Sequence, residues 1–347
     1  MSRIAVVTSA PPLIEGGHLV IARSLVRALE EAGHEAGLVA TPQNRFGRQA
    51  SAYLATWLTD VGVDGAGHAT DQVISLRFPS YAVRHERHVC WLNHRMREYY
   101  DRWDEFRATL SWQGQLKEGV RRRAMHTVDR YLLTHNVTRL LAQSKTIQAR
   151  LQRWGGIPSD VVYPPPPQRP YRCDGYGDYV FAVSRLTALK RLSLLIEALA
   201  RPEAAGIACF IAGDGEQRRS LEHAIETRGL SGRVHLLGRI DDRQLLDHLA
   251  NCRAVCFPAR DEDYGFVTVE AFASRKPVIT CTDSGGPAEL VLDGVNGRVC
   301  APRPETMAVA LRDVMDDAAA ARRLGEAGYE QASKMTWEHA LKRLLLD

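Results

Sequence analysis

The run YPPPPQRP at 163–170 divides the chain, because proline offers no amide to a helix or a sheet ladder and leaves the backbone extended. On each side of it the same rhythm appears: a short apolar run, a loop, then a stretch with apolar residues at helical spacing. Before the prolines the strand-like runs are Ile4 to Val7, EAGLVA, QVISLRF, RHVCWLN and RYLLTH, with helical patterns over HLVIARSLVRALEEAG and from Trp112 to Val128. After them come DYVFAVS, LKRLSLLIEALA, IACFIAG, EQRRSLEHAIETRG, RVHLLG, DDRQLLDHLA, RAVCFP, FVTVEAFAS and PVITC, then a helix near Pro287. Strands alternating with helices predict parallel sheets covered on both faces, hence an α/β chain of two doubly wound, Rossmann-like domains in tandem. The expected domains are 1–163 and 164–332, with 333–347 a C-terminal helix packing back toward the first domain. Open parallel sheets take ligands beyond the carboxyl ends of their strands, so two facing domains would share one cleft lined by strand-to-helix loops.

Composition narrows the class. At 347 residues, 45% hydrophobic and 25% charged, the chain suits a globular enzyme. It contains no stretch near the roughly 20 apolar residues a membrane helix needs, and Ile4 to Val7 is too short for a secretory leader, so a cytoplasmic protein is expected. The seven cysteines are scattered and mostly lie in apolar runs, which reads as reduced core residues; Cys252 and Cys256 are the one close pair and lack a second pair to complete a metal site. Residues 1–167 carry 21 basic and 15 acidic side chains, 168–347 carry 24 and 26. The basic first half, with Lys117 and the run Arg121, Arg122, Arg123, fits a solvated helix face or a weak peripheral contact with the inner face of a membrane. Nucleic acid is not expected, since no aromatic-interleaved basic patch accompanies that bias.

Four loops hold candidate chemistry. Gly16, Gly17 and His18 stand between the first strand and helix, where bare backbone and helix amides can meet an anion; the pattern GxGxxG is absent, which argues against a dinucleotide cofactor. In SRLTALKR (184–191), Arg185 and Lys190 bracket a strand-to-helix loop and could surround one diphosphate. In RDEDYGFVTVEAFASRKP (260–277), Gly265 precedes a helix whose Phe266 and Val267 amides are free donors. Glu270 stands one turn in, placed to accept from a diol, and Glu262 lies on the loop before. Both glutamates could instead merely favour the helix dipole, at about 0.3–1 kcal/mol each. His94, beside Arg95 and Arg97, follows a strand of the first half.

Together these loops resemble the retaining glycosyltransferases of family 4, which have the GT-B fold of two facing Rossmann-like domains. The E-x7-E pattern of Glu262 and Glu270 carries the resemblance, with SRLTALKR, AGDGE (212–216), SGGPAEL (284–290) and DGVNGRV (293–299) in the same order. The resemblance implies that Arg185 and Lys190 hold the donor diphosphate, Glu270 the ribose, and Glu262 with the Phe266 and Val267 backbone the sugar and adjacent phosphate. It also implies that Gly16 and Gly17 meet the diphosphate, that His94 contacts the donor sugar, and that Arg239 and Ile240 lie near the nucleobase. The donor would be a UDP- or GDP-sugar, the acceptor an unknown hydroxyl, and no metal or other cofactor would be required. Other readings are a glycoside hydrolase using the two glutamates as a pair, which needs carboxylates about 5 to 9 Å apart and leaves Arg185 and Lys190 idle, a nucleotide-sugar epimerase of similar two-domain fold, and a nucleotide-sugar-binding protein without turnover.

Overall fold

The computed structural model describes residues 1–10, 17–42 and 47–346. They fall into two units: Met1–Pro164 joined by the chain from Thr336 onward, and Pro165–Met335.

The first unit runs β1 (Arg3–Ala10), α1 (Gly17–Glu31), β2 (Glu35–Pro42), α2 (Gln49–Trp57), β3 (Gln72–Ser75), β4 (His88–Leu92), α3 (Trp103–Ala108), α4 (Trp112–Tyr131), β5 (Arg139–Ala142), α5 (Lys145–Arg153) and β6 (Asp160–Val161). The strands pair in the order β2-β1-β3-β4-β5-β6, every pair parallel. Helices cover both faces of such a sheet, which is why β3 and β4 are buried along their whole length, the polar Gln72, Ser75 and His88 included. The expected strand at RYLLTH does not form. Here α4 continues into a wider π turn, Leu132–Asn136, and the strand follows at Arg139–Ala142. The adjacent pair Leu132 and Leu133 carries no period that separates strand from helix end, and both are buried. Asn136 fixes the turn by donating its amide to the Tyr81 and Val83 carbonyls at 2.9 and 2.6 Å.

His88 is fully buried in this sheet, with Nδ1 3.0 Å from the Asn136 carbonyl and Nε2 2.7 Å from Ser75 Oγ. Burial pulls its pKa down to about 4, so the ring is neutral. The C-terminal helix Trp337–Leu344 also belongs to this unit. Buried Gln72 donates to the Leu344 carbonyl at 2.7 Å and accepts from the Leu346 amide at 2.9 Å, while the Trp337 ring meets Trp91 edge-on.

The second unit runs β7 (Tyr179–Val183), α6 (Leu192–Leu199), β8 (Ala208–Ala212), α7 (Arg218–Thr227), β9 (Val234–Gly238), α8 (Asp242–Asn251), β10 (Ala254–Cys256), α9 (Phe266–Ala273), β11 (Val278–Cys281), α10 (Gly286–Leu290), β12 (Gly297–Cys300), α11 (Pro304–Met315) and α12 (Ala318–Ser333). Its strand order, β12-β11-β10-β7-β8-β9, is again all parallel. Successive connections proceed one way from β7 and the other way from β10. The topological switch point, where an open sheet parts its loops, therefore falls between β7 and β10. The core beneath is built from Val180, Ala182, Leu195, Leu199, Ile211, Ile279 and Leu311. All seven cysteines are free thiols, and among the described residues no helix is long and apolar enough to cross a membrane.

Candidate functional site

The loops after β7 and β10 flank the switch point, and they carry most of the expected donor-site residues. Beyond β7 the chain makes a short turn at Ala188–Lys190 before α6. Lys190 Nζ reaches across to Glu262 Oε2 at 2.6 Å, and both side chains are largely buried. The ammonium also stands 5.1 Å from the centre of the Phe257 ring. Arg185, on the same loop, is exposed and enters no ion pair among the described residues. Its neighbour Arg191, absent from the sequence reading, ties the loops together instead: its guanidinium forms a two-pronged pair with Asp283 at 2.7 and 2.8 Å and donates to the Pro258 carbonyl at 2.8 Å.

Gly265 has the left-handed φ of 80° that glycine tolerates, and a Cβ there would lie 2.7 Å from Pro287 Cγ. The amides of Phe266 and Val267 head α9, where no earlier turn supplies acceptors. A second close approach explains SGGP: a Cβ on Gly286 would sit 2.5 Å from Tyr264 Cα, and the Gly286 amide donates to the Glu262 carbonyl at 2.9 Å. The Glu262 amide in turn donates to the Ser284 carbonyl at 2.9 Å. The loop that presents Glu262 is thus clamped by the loop after β11.

Glu270 lies in α9 and is buried. One carboxylate oxygen, Oε1, takes the Arg169 guanidinium and the Tyr171 hydroxyl, the latter at 3.1 Å. Arg169 extends its other side to Asp242 at 3.0 and 3.3 Å. Burial raises the Glu270 pKa, with Arg169 and Tyr171 opposing. Among the described residues Oε2 makes no hydrogen bond. The arrangement can hold the carboxylate still by one oxygen and offer the other to a hydroxyl. Sequence reasoning missed Arg169, Tyr171 and Asp242; the signal available was an arginine and a tyrosine directly after the prolines.

Arg239 is exposed and Ile240 half-buried, both beyond β9. Arg185, Lys190, Arg239, Ile240, Glu262, Gly265, Phe266, Val267 and Glu270 therefore all stand at the carboxyl-end edge of one sheet. In the first unit Gly17 opens α1 and is exposed, and Gly16 lies outside the described residues. His94 follows β4, its Nδ1 2.8 Å from the Arg95 carbonyl. Its basic neighbours are structural: Arg95 is buried, donates to the Trp154 and Arg150 carbonyls and lies 3.8 Å over the Tyr100 ring, and Arg97 pairs with Asp101 at 2.6 Å. Among the described residues no group of three or more His, Cys, Asp or Glu side chains converges as metal ligands would.

Residues 172–331 match the model of the family described as glycosyl transferases group 1. An uncharacterised glycosyltransferase of Methanocaldococcus jannaschii is 27% identical over 217 residues, which cover 59% of this chain and 57% of that protein. The chain spans little more than half the length of that relative. In fold, the whole chain is like sucrose-phosphate synthase from Thermosynechococcus elongatus, with a TM-score of 0.75 at 18% identity, 99% of this chain and 97% of that one being covered. Anabaena HepE in complex with UDP and glucose gives a TM-score of 0.66 at 18% identity, with 95% of each chain covered. The two parallel sheets are those of the GT-B fold.

Proposed function

We propose that this chain, whose residues 172–331 match the glycosyl transferases group 1 family, moves a hexose-type sugar from a nucleoside-diphosphate sugar to an acceptor hydroxyl with retained configuration and without a metal. The observation that carries the reading is the placement of Lys190, Glu262 and Glu270 around the switch point of that same segment. A UDP-sugar comes first among donors, because UDP and glucose occupy a protein of the same fold, and a GDP-sugar second.

In this reading the free amides at the head of α9 and the cations of Lys190 and Arg185 face the diphosphate. As the bond from the anomeric carbon to the phosphate oxygen breaks, the leaving diphosphate gains charge and the sugar gains oxocarbenium character. Cations fixed toward that oxygen stabilise the transition state more than the ground state. The acceptor oxygen bonds the anomeric carbon on the face the diphosphate leaves, and its proton passes to the departing phosphate oxygen. Glu262 now neutralises Lys190, so donor binding exchanges a carboxylate for phosphate on that ammonium and frees Glu262 for the sugar hydroxyls. Glu270 accepts from the ribose diol through Oε2. The roles of Gly16, Gly17 and His94 toward the donor, and of Arg239 and Ile240 toward the base, rest on the family resemblance.

A melting-temperature panel of nucleoside diphosphates and their sugars identifies the donor, since a ligand that binds only the folded state raises stability as RT ln(1 + [L]/Kd). With it in hand, Glu270→Ala raises the donor Kd and Lys190→Ala lowers kcat. Unchanged kinetics in both variants would exclude the assignment, and sugar interconversion without an acceptor would point to an epimerase.

A further inference from the structure

The helix α4 is turned inside out for a surface helix. Its acidic residues point inward: Glu118 accepts from the Tyr99 hydroxyl and from Arg121, both at 2.6 Å, and buried Asp129 accepts from the hydroxyls of Tyr53, Tyr81 and Tyr100. Arg122 and His126 also face inward, each donating to the Tyr99 carbonyl at 2.8 Å. The basic run at 121–123 is therefore not one face, because consecutive helical residues diverge. A row of large apolar side chains faces solvent. Trp112, Leu116 and Val120 are 70%, 65% and 67% exposed, and Val128 and Tyr131 continue the row. The outward charges, Lys117, Arg123 and Arg130, are all positive. Beside the row, between α2 and α4, lies a groove of about 710 Å³ whose lining includes Tyr53, Leu54, Trp57, Met125 and Val128.

We propose that α4, with this groove, is a docking surface for an anionic lipid bilayer. A row of large apolar side chains flanked by cations suits a helix lying in the plane of a headgroup layer, the apolar side chains entering the acyl boundary while Lys and Arg reach lipid phosphates. Charge selects the bilayer over a second copy of this chain: a twofold contact through the same patch would set Lys117, Arg123 and Arg130 against their own copies with no outward acid on the helix to compensate. The inward anchoring of Asp129 on tyrosine hydroxyls holds the helix in this orientation, so the apolar row cannot roll into the core.

Flotation of the full chain with phosphatidylcholine vesicles, with and without phosphatidylglycerol, tests the proposal. Binding is expected only with phosphatidylglycerol, and high salt should release it. Leu116→Glu and Val120→Glu, exposed positions whose change leaves the melting temperature in place, should each abolish flotation. Lys117→Glu and Arg123→Glu should each weaken it by about fivefold or more. Failure to float at low salt, equal flotation on neutral vesicles, or undiminished binding by Leu116→Glu overturns the proposal. So does self-association that Leu116→Glu dissolves in a chain that ignores vesicles.

Discussion

Arg169→Met removes the cation facing Glu270 while keeping a long side chain in its place. The buried carboxylate must then either stay charged beside Tyr171 and Asp242 or take up a proton, and the second route caps the cost. For a carboxyl with an ordinary pKa of about 4.3, protonation costs about 4 kcal/mol at pH 7 and about 1 kcal/mol at pH 5. Breaking a buried pair from one side typically costs about 3–5 kcal/mol, which lies near that ceiling. The Asp242 end adds little, because that carboxylate is 71% exposed. The sign follows from burial, which already raises Glu270 and would raise it further without Arg169. The folded variant binds more protons than the unfolded chain, so its stability falls as pH rises above the ordinary carboxyl value. Calorimetry at pH 5 and pH 7 reads the gap to the parent. At about 2–4 °C per kcal/mol, the gap should approach 10 °C at pH 7 and shrink to a few degrees at pH 5. Arg169→Lys should recover part of it. A gap that stays constant between the two pH values, or below about 1 °C at both, refutes the reasoning.

Other outcomes follow from the same geometry. His88, depressed to about 4 by burial, contributes stability that is present above its ordinary pKa of about 6.5 and is lost as pH falls toward 4. The loss amounts to about 3 kcal/mol, and denaturant melts of His88→Gln should show a flatter profile across that window. Glu262→Gln releases Lys190 from its carboxylate, so calorimetric titration should show the free nucleoside diphosphate binding about fivefold tighter while turnover falls. Gly286→Ala drives a Cβ into the Tyr264 backbone, which cannot rotate aside. A destabilisation of about 1–3 kcal/mol is expected, with donor affinity falling because the Glu262 loop moves.

The parallel architecture was legible because its inner strands are buried on both faces and so read as mostly apolar runs between helical periods. Failures came where that signal thins. RYLLTH is apolar without a period, and it ends a helix. The strand Gly297–Cys300 begins on a glycine and includes an arginine, so it carries too little apolar character to stand out. Within the site, Glu262, Gly265 and Glu270 were visible because a carboxylate, a glycine and a helix start coincide in one short segment. Arg169 and Tyr171 were not, since their partner Glu270 is about a hundred residues away. Nor could the sequence show that Lys190 turns to Glu262 while Arg191 turns to Asp283. Adjacent cations look alike until the backbone sets their directions.

The return of the C-terminal helix to the first unit has a consequence for biosynthesis. A ribosome releases Met1–Pro164 long before Trp337, yet the buried Gln72 amide finds its partners only at Leu344 and Leu346. The unit made first is therefore completed last, and the unit between, whose residues are contiguous, can reach its native state while its predecessor still waits. A stop codon after Met335 would leave the nascent protein with its later half sound and its earlier half unfinished.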